Sequence, residues 1–117
     1  MTILNRLQTG REMSFAKFWR LYLDAHRRPG TRAAHYLGTA LGIASTIVAI
    51  WYGQVAFLFA GIAIAFVLAV GSHWVIERNQ PLIRVNAFYG ALADLRMFWL
   101  ALTGRLREEY RRLGLLD

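Results

Sequence analysis

"AAHYLGTALGIASTIVAIWYGQVAFLFAGIAIAFVLAVGSHWVI", from Ala33 to Ile76, contains no aspartate, glutamate, lysine or arginine. These 44 residues are too many for one membrane crossing and suit two, since a span takes roughly 20 residues at about 1.5 Å each. A helix of that length in water would carry a polar face, and none is visible here. "WYGQ", Trp51 to Gln54, divides the run: Gly53 and the polar Gln54 supply a break, while Trp51 and Tyr52 suit the headgroup belt. The spacing predicts transmembrane helices over residues 34–52 and 55–76, joined as a hairpin. Gly38, Gly42, Ser45, Gly61 and Ala65 are small enough to let the two helices approach closely.

The rest of the composition agrees with a membrane setting. Hydrophobic residues make up 56% of the chain and the mean hydropathy is +0.33, above the usual range for soluble domains. The net charge of +7 and pI near 10.8 raise the question of nucleic acid, but the distribution answers it. Seven of the 14 basic residues lie at or before Arg32 and the other seven at or after Arg78. Cations flank both outer ends of the apolar run and are missing from its turn, which places both termini in the cytoplasm, and in the inner membrane if the source is bacterial. Nucleic-acid binding is therefore excluded as the reason for the charge. The first twenty residues lack the apolar core and cleavage site of a secretory signal, so none is expected. With no cysteine, disulfides, thiolate metal sites and cysteine nucleophiles are ruled out.

Two amphipathic segments flank the run. In "SFAKFWRLYLDAH", Ser14 to His26, the residues Phe15, Phe18, Trp19, Tyr22 and Leu23 form one helical stripe opposed by Lys17, Arg20 and Asp24. Ser14 suits an N-cap and Pro29-Gly30 is read as the end of the segment, which predicts an interfacial helix over residues 14–27. In "ALADLRMFWLALTGRLREEYRRLG", Ala91 to Gly114, the stripe is Leu92, Leu95, Phe98, Trp99 and Leu102, while Asp94 and Arg96 argue against a full crossing. An amphipathic helix over 91–113, interfacial or re-entrant, is expected. The fold class is thus an all-α integral membrane protein: one domain over 1–117, a transmembrane helical hairpin flanked by N- and C-terminal amphipathic helices.

The hairpin levels the histidines. His35 lies 18 residues before Gly53 and His73 lies 20 after it, depths of roughly 27 and 30 Å. Glu77 follows His73 by four residues and shares its helical face. His26 reaches the same level if Pro29-Gly30 folds the first helix over the mouth of the hairpin. All three histidines of the chain and one carboxylate then converge, and neutral imidazoles with a carboxylate suit iron, zinc, manganese or copper. The alternative is plainer: interfacial histidines bonded to backbone, with Glu77 a helix cap or the ion-pair partner of Arg78 or Arg84. Asn79 is read as a turn residue that can also orient a histidine ring, and Thr39 as bonding back within its own helix.

The combined pattern resembles a known family. "FWRLYLDAHRRPGTRAAHYLGT" looks like its first signature, with His26 and His35 separated by the Pro-Gly element, and "GSHWVIERNQP" looks like its second, with His73, Glu77, Asn79 and Pro81. "DLRMFWLALTGRL" is similar to its C-terminal segment. This is the small membrane-protein family, long catalogued as a domain of unknown function, that includes the fungal endoplasmic-reticulum 2-hydroxy fatty acid dioxygenase of phytosphingosine breakdown. The resemblance covers about Phe18 to Leu106. One departure is "GSH" in place of "GH", which displaces Gly71 by a residue and leaves His73 and Glu77 in place.

The resemblance implies an Fe(II)-dependent dioxygenase that takes a long-chain 2-hydroxy fatty acid and O2 to the acid one carbon shorter, with CO2 and water. The family's essential histidines carry over to His26, His35 and His73, and its carboxylate to Glu77. A 2-hydroxy carboxylate can chelate iron through both oxygens, and its oxidative decarboxylation supplies the four electrons that O2 takes up. Arg27, Arg28 and Arg32 are candidates to hold the substrate carboxylate, or else are topology determinants facing lipid headgroups. Asn79 is grouped with them at the substrate. Leu37, Leu41, Phe66 and Leu68 are candidate contacts for the acyl tail. A homo-oligomer is left open. The competing expectation is a non-catalytic membrane subunit or small transporter with structural histidines. A di-iron lipid hydroxylase fails because those families need more than three histidines.

Overall fold

The computed structural model describes residues 13–82 and 85–116. The expected absence of a signal segment and the pairing of Glu77 with Arg84 fall wholly or partly on residues outside that set. Every regular element among the described residues is helical. The chain divides into two compact units, one from the described residues of 1–26 and 81–117, the other from 27–80.

The 27–80 unit holds two long helices. Helix α2 runs Pro29–Tyr52 and helix α3 runs Val55–Ser72, continuing as a π-helical turn, His73–Glu77. Both stretches are long and apolar enough to cross a membrane. Pro29-Gly30 opens α2 instead of closing the segment before it, so the expected start at residue 34 moves outward. Proline at the first helical position gives up only an N–H that has no partner in the helix, and its ring presets the dihedral. At the far end Gly53 adopts a left-handed φ of 63° and Gln54 N–H closes back on the Ala49 carbonyl at 3.0 Å. That geometry ends a helix and is open to glycine without a Cβ penalty.

The two helices meet through the five small residues singled out above. A Cβ added at Gly38 would lie 3.2 Å from Ala65 Cα, and one at Gly42 3.9 Å from Ala65 Cβ. A Cβ at Gly61 would overlap Ser45 Cβ and lie 2.8 Å from its Oγ. The order of these contacts, Gly61 on Ser45, Ala65 on Gly38 and Ile76 on Gly30, makes the pair antiparallel. Because backbone meets backbone at Gly38 and Ala65, no acyl chain fits between the helices at that level. Leu37, Leu41 and Phe66 accordingly face outward, at 53, 39 and 52% exposure. Only Leu68 of the four candidate tail contacts turns inward, its Cβ 3.6 Å from the position a Gly38 Cβ would take.

The other unit is built on helix α1, Phe15–Asp24, helix α4, Ala87–Leu102, and helix α5, Leu106–Arg112. Ser14 caps α1, its Oγ accepting from Lys17 N–H at 3.2 Å. The apolar stripe of α1 is buried: Phe18, Trp19, Tyr22 and Leu23 are at most 3% exposed. Phe15 and Phe18 pack on the Tyr89 ring at 5.4 and 5.6 Å, and Tyr22 Oη donates to Asp94 Oδ1 at 3.4 Å. The Arg96 guanidinium lies 4.7 Å over the Trp19 ring. Thus Asp94 and Arg96, the charges that argued against a crossing, face α1. The outward apolar stripe belongs to α4 instead, with Phe88, Leu92, Leu95, Trp99 and Leu102 all exposed.

Where the sequence predicts one helix over 91–113, the chain forms two. Gly104 takes φ 71° and Arg105 N–H bonds the Leu100 carbonyl at 2.8 Å, the same left-handed stop as at Gly53. The turn lets α5 present Tyr110 to the end of α1. Its hydroxyl donates to both the Leu23 and His26 carbonyls, at 2.9 and 2.8 Å, in a buried position. Tyr110→Phe is expected to cost about 1–3 kcal/mol, seen as a lower midpoint in detergent thermal unfolding followed by circular dichroism. The cost arises because two buried carbonyls lose this donor.

Candidate metal centre

Within the 27–80 unit the structure brings His35 and His73 together. His35 sits on the face of α2 that continues through Gly38 to α3, and His73 opens the π turn at the end of α3. Both are buried, at 6 and 2% exposure, with ring centroids 5.3 Å apart and planes at 83°. The wide turn closes through Arg78 N–H and then Asn79 N–H, both on the His73 carbonyl, the latter at 2.9 Å. Arg78 takes φ 61°, the one non-glycine residue with positive φ among those described. That conformation costs about 1–2 kcal/mol outside glycine. It reverses the chain so that Asn79 Oδ1 lies 2.7 Å from His73 Nδ1. An amide oxygen can only accept, so Nδ1 carries the proton and the lone pair of a neutral His73 ring is on Nε2.

Asn79 thus holds the His73 ring through Nδ1. Replacing Asn79 by alanine is expected to weaken metal binding about 10- to 100-fold, as loss of such outer partners does elsewhere. Competition against a chelator measures it, and Asn79→Asp, which keeps an acceptor oxygen, should recover most of the loss.

Glu77 lies in the same turn. Its Oε1 accepts from Arg28 N–H at 2.5 Å, so the carboxylate caps the start of α2, whose cap residue, Arg28, makes no side-chain cap bond of its own. Of the three candidate arginines, Arg27 and Arg28 are exposed and Arg32 is half-buried. Arg32 Nη1 donates to the Arg27 carbonyl at 2.7 Å. Thr31, which the sequence reading passed over, is fully buried, and its Oγ1 has no hydrogen-bond partner. Its spacing of four before His35 was the available signal.

His26 ends the other unit and is 0% exposed. Its Nδ1 lies 2.5 Å from the Tyr22 carbonyl, and its ring stacks on that of Tyr22 at 4.0 Å. A carbonyl oxygen can only accept, so His26 Nδ1 is also protonated and Nε2 carries the lone pair. Two of the three buried histidines therefore hold their Nδ1 protons on oxygen acceptors, the arrangement usual for metal-ligating imidazoles. Borderline nitrogen donors without thiolate fit iron, zinc, manganese or copper.

A family model described as 2-hydroxy-palmitic acid dioxygenase Mpo1-like matches residues 13–106. Neither the curated proteins nor the solved structures contain a match. The matched segment carries all three histidines, Glu77 and Asn79, and spans most of the chain. The chain belongs to the Mpo1-like family.

Proposed function

We propose that this chain is an Fe(II)-dependent dioxygenase that converts a 2-hydroxy fatty acid to the acid one carbon shorter, with release of CO2. The observation that carries the reading is the buried His35–His73 pair, with Asn79 holding the His73 ring, in a chain of the Mpo1-like family. His35 and His73 are the proposed ligands within the 27–80 unit, and His26 is proposed with them because it lies in the same family-matched segment. Iron bound there would supply the site at which O2 and the chelating hydroxy acid meet. Each turnover takes R-CHOH-COOH and O2 to R-COOH, CO2 and H2O, so no outside reductant is required.

The protein's own groups set the conditions. Asn79 and the Tyr22 carbonyl fix the ring orientation of His73 and His26, which presents Nε2 of each without a rotamer search. Glu77, through Arg28 N–H, pins the start of α2 and so the helix that carries His35. Arg27 and Arg28 are assigned to the carboxylate of the incoming acid or to lipid headgroups. The acyl tail lies on the outer, apolar faces of the helix pair, since their interface is closed at Gly38 and Ala65. We place α2 and α3 across the membrane with both termini in the cytoplasm. Only 11% and 17% of their apolar windows are buried within the chain, whereas a core helix of a soluble protein would be mostly covered.

Product analysis tests the reading. Detergent-purified protein, loaded anaerobically with Fe(II) and given 2-hydroxypalmitate, is exposed to oxygen and its lipids are read by mass spectrometry. A fatty acid one carbon shorter, formed with equal CO2, is expected. Intact substrate from protein that holds iron would sink the substrate assignment and keep the metal site, whereas intact substrate with no bound metal would favour histidines with a structural role.

A further inference from the structure

Two buried side-chain polar atoms among the described residues have no hydrogen-bond partner: Trp19 Nε1 and Thr31 Oγ1. Only Thr31 lies on a histidine-bearing helix. It precedes His35 by four residues, on the buried face that continues through Gly38. Since Gly30 packs on Ile76 and Gly38 on Ala65, Thr31 stands one turn outward from His35, level with the π turn that begins at His73.

The missing partner has a local cause. A helical threonine usually donates to the carbonyl four residues earlier. Thr46 does so to Gly42 at 2.8 Å, and Thr103 to Trp99 at 2.9 Å. For Thr31 that carbonyl belongs to Arg27, which precedes the helix and accepts from Arg32 Nη1. A threonine so placed at a helix start normally turns to water, but this one is 0% exposed. A hydroxyl buried without a partner is costly, and the cost disappears when an occupant of the site bonds to it.

We propose that Thr31 Oγ1 hydrogen-bonds the 2-hydroxyl of the bound acid and thereby selects hydroxylated over plain fatty acids. This rests on the reading of the histidines as the reaction site. A threonine hydroxyl both donates and accepts, which matches another hydroxyl. The substrate carboxylate, which only accepts, is matched instead by the guanidinium donors assigned to it, Arg27 and Arg28. A site built around a substrate hydroxyl rejects the analogue that leaves its own polar group unpaired.

The test measures dissociation constants by isothermal titration in detergent, on anaerobic Fe(II)-loaded protein, for 2-hydroxypalmitate and palmitate. Wild type should prefer the hydroxy acid. Thr31→Val, nearly isosteric, should lower that preference about five- to tenfold by weakening 2-hydroxypalmitate alone, with iron content unchanged and a melting temperature no lower than wild type. Thr31→Ser should keep the preference. If Thr31→Val retains the wild-type ratio, the role of Thr31 is overturned and the histidine site stands. If wild type binds both acids alike, or His35→Ala binds 2-hydroxypalmitate as wild type does, the site reading falls and Thr31 with it.

Discussion

His73→Ala protein, purified and exposed to Fe(II), is expected to bind the metal at least about 100-fold more weakly than wild type, with His35→Ala close behind. Outer partners alone account for losses of 10- to 100-fold, so removal of a ligand belongs at or beyond the upper end. His73 is the more damaging of the two because its ring is held in place by Asn79. The two rings face each other at 5.3 Å, and His73, in the π turn, has its Nδ1 proton held by the asparagine beside it. Alanine keeps the carbonyl and the turn but deprives the Asn79 amide of its imidazole partner. The helices should survive, since α3 is apolar over its whole length and packs through Gly61 and Ala65, away from this end. Chelator competition with circular dichroism separates the two effects: unchanged helicity with lost metal supports the site. Wild-type metal affinity in both variants would remove the histidines from any metal role.

The second large effect concerns the contact between α2 and α3. Gly61→Ala is expected to destabilise the pair by about 1–3 kcal/mol. The new methyl would fall on Ser45 Cβ, an atom fixed to the backbone of the facing helix. Ser45→Gly in the same chain should restore most of the loss, because it removes the atom that is struck. Gly38→Ala should also cost stability, since its Cβ would meet the Ala65 backbone at 3.2 Å and a backbone cannot turn aside. Gly42→Ala is the internal control: its nearest neighbour at 3.9 Å is ordinary contact, so the variant should be about neutral. Denaturation of the purified variants in mixed micelles ranks them. Equal stability of the Gly61 and Gly42 variants would mean the helices are not held at this contact.

What the sequence made legible follows the range of each interaction. The apolar run, its break at Gly53 and the small residues of the contact could be read directly, because hydropathy and steric size act through neighbours along one or two helices. So could the shared level of His35 and His73, which needs only rise per residue. Pro29-Gly30 was misread because the same dipeptide suits a stop and a start, and nothing in the chain before it distinguishes them. Gly104 was overlooked inside an otherwise periodic segment, so one helix was expected where two form. The stripe of α1 shows a second limit. Periodicity reveals that Phe18, Trp19, Tyr22 and Leu23 share a face, but whether lipid or α4 covers it is a tertiary fact. Tyr110 was hidden for the same reason, and Thr31 showed only its spacing of four from His35. One acts on residues far away in sequence, and the other matters only because a burial that no pattern encodes cuts it off from water.

The Tyr110 clamp orders events during synthesis. Its hydroxyl reaches the His26 carbonyl across 84 positions of sequence. Translation proceeds from the N-terminus, and segments become available in that order. His26 is therefore the first histidine to leave the ribosome, yet the bond from Tyr110 to its carbonyl can form only after both apolar helices have been made. A nascent chain stalled before α5 would carry all three imidazoles yet lack the bond that holds the end of α1.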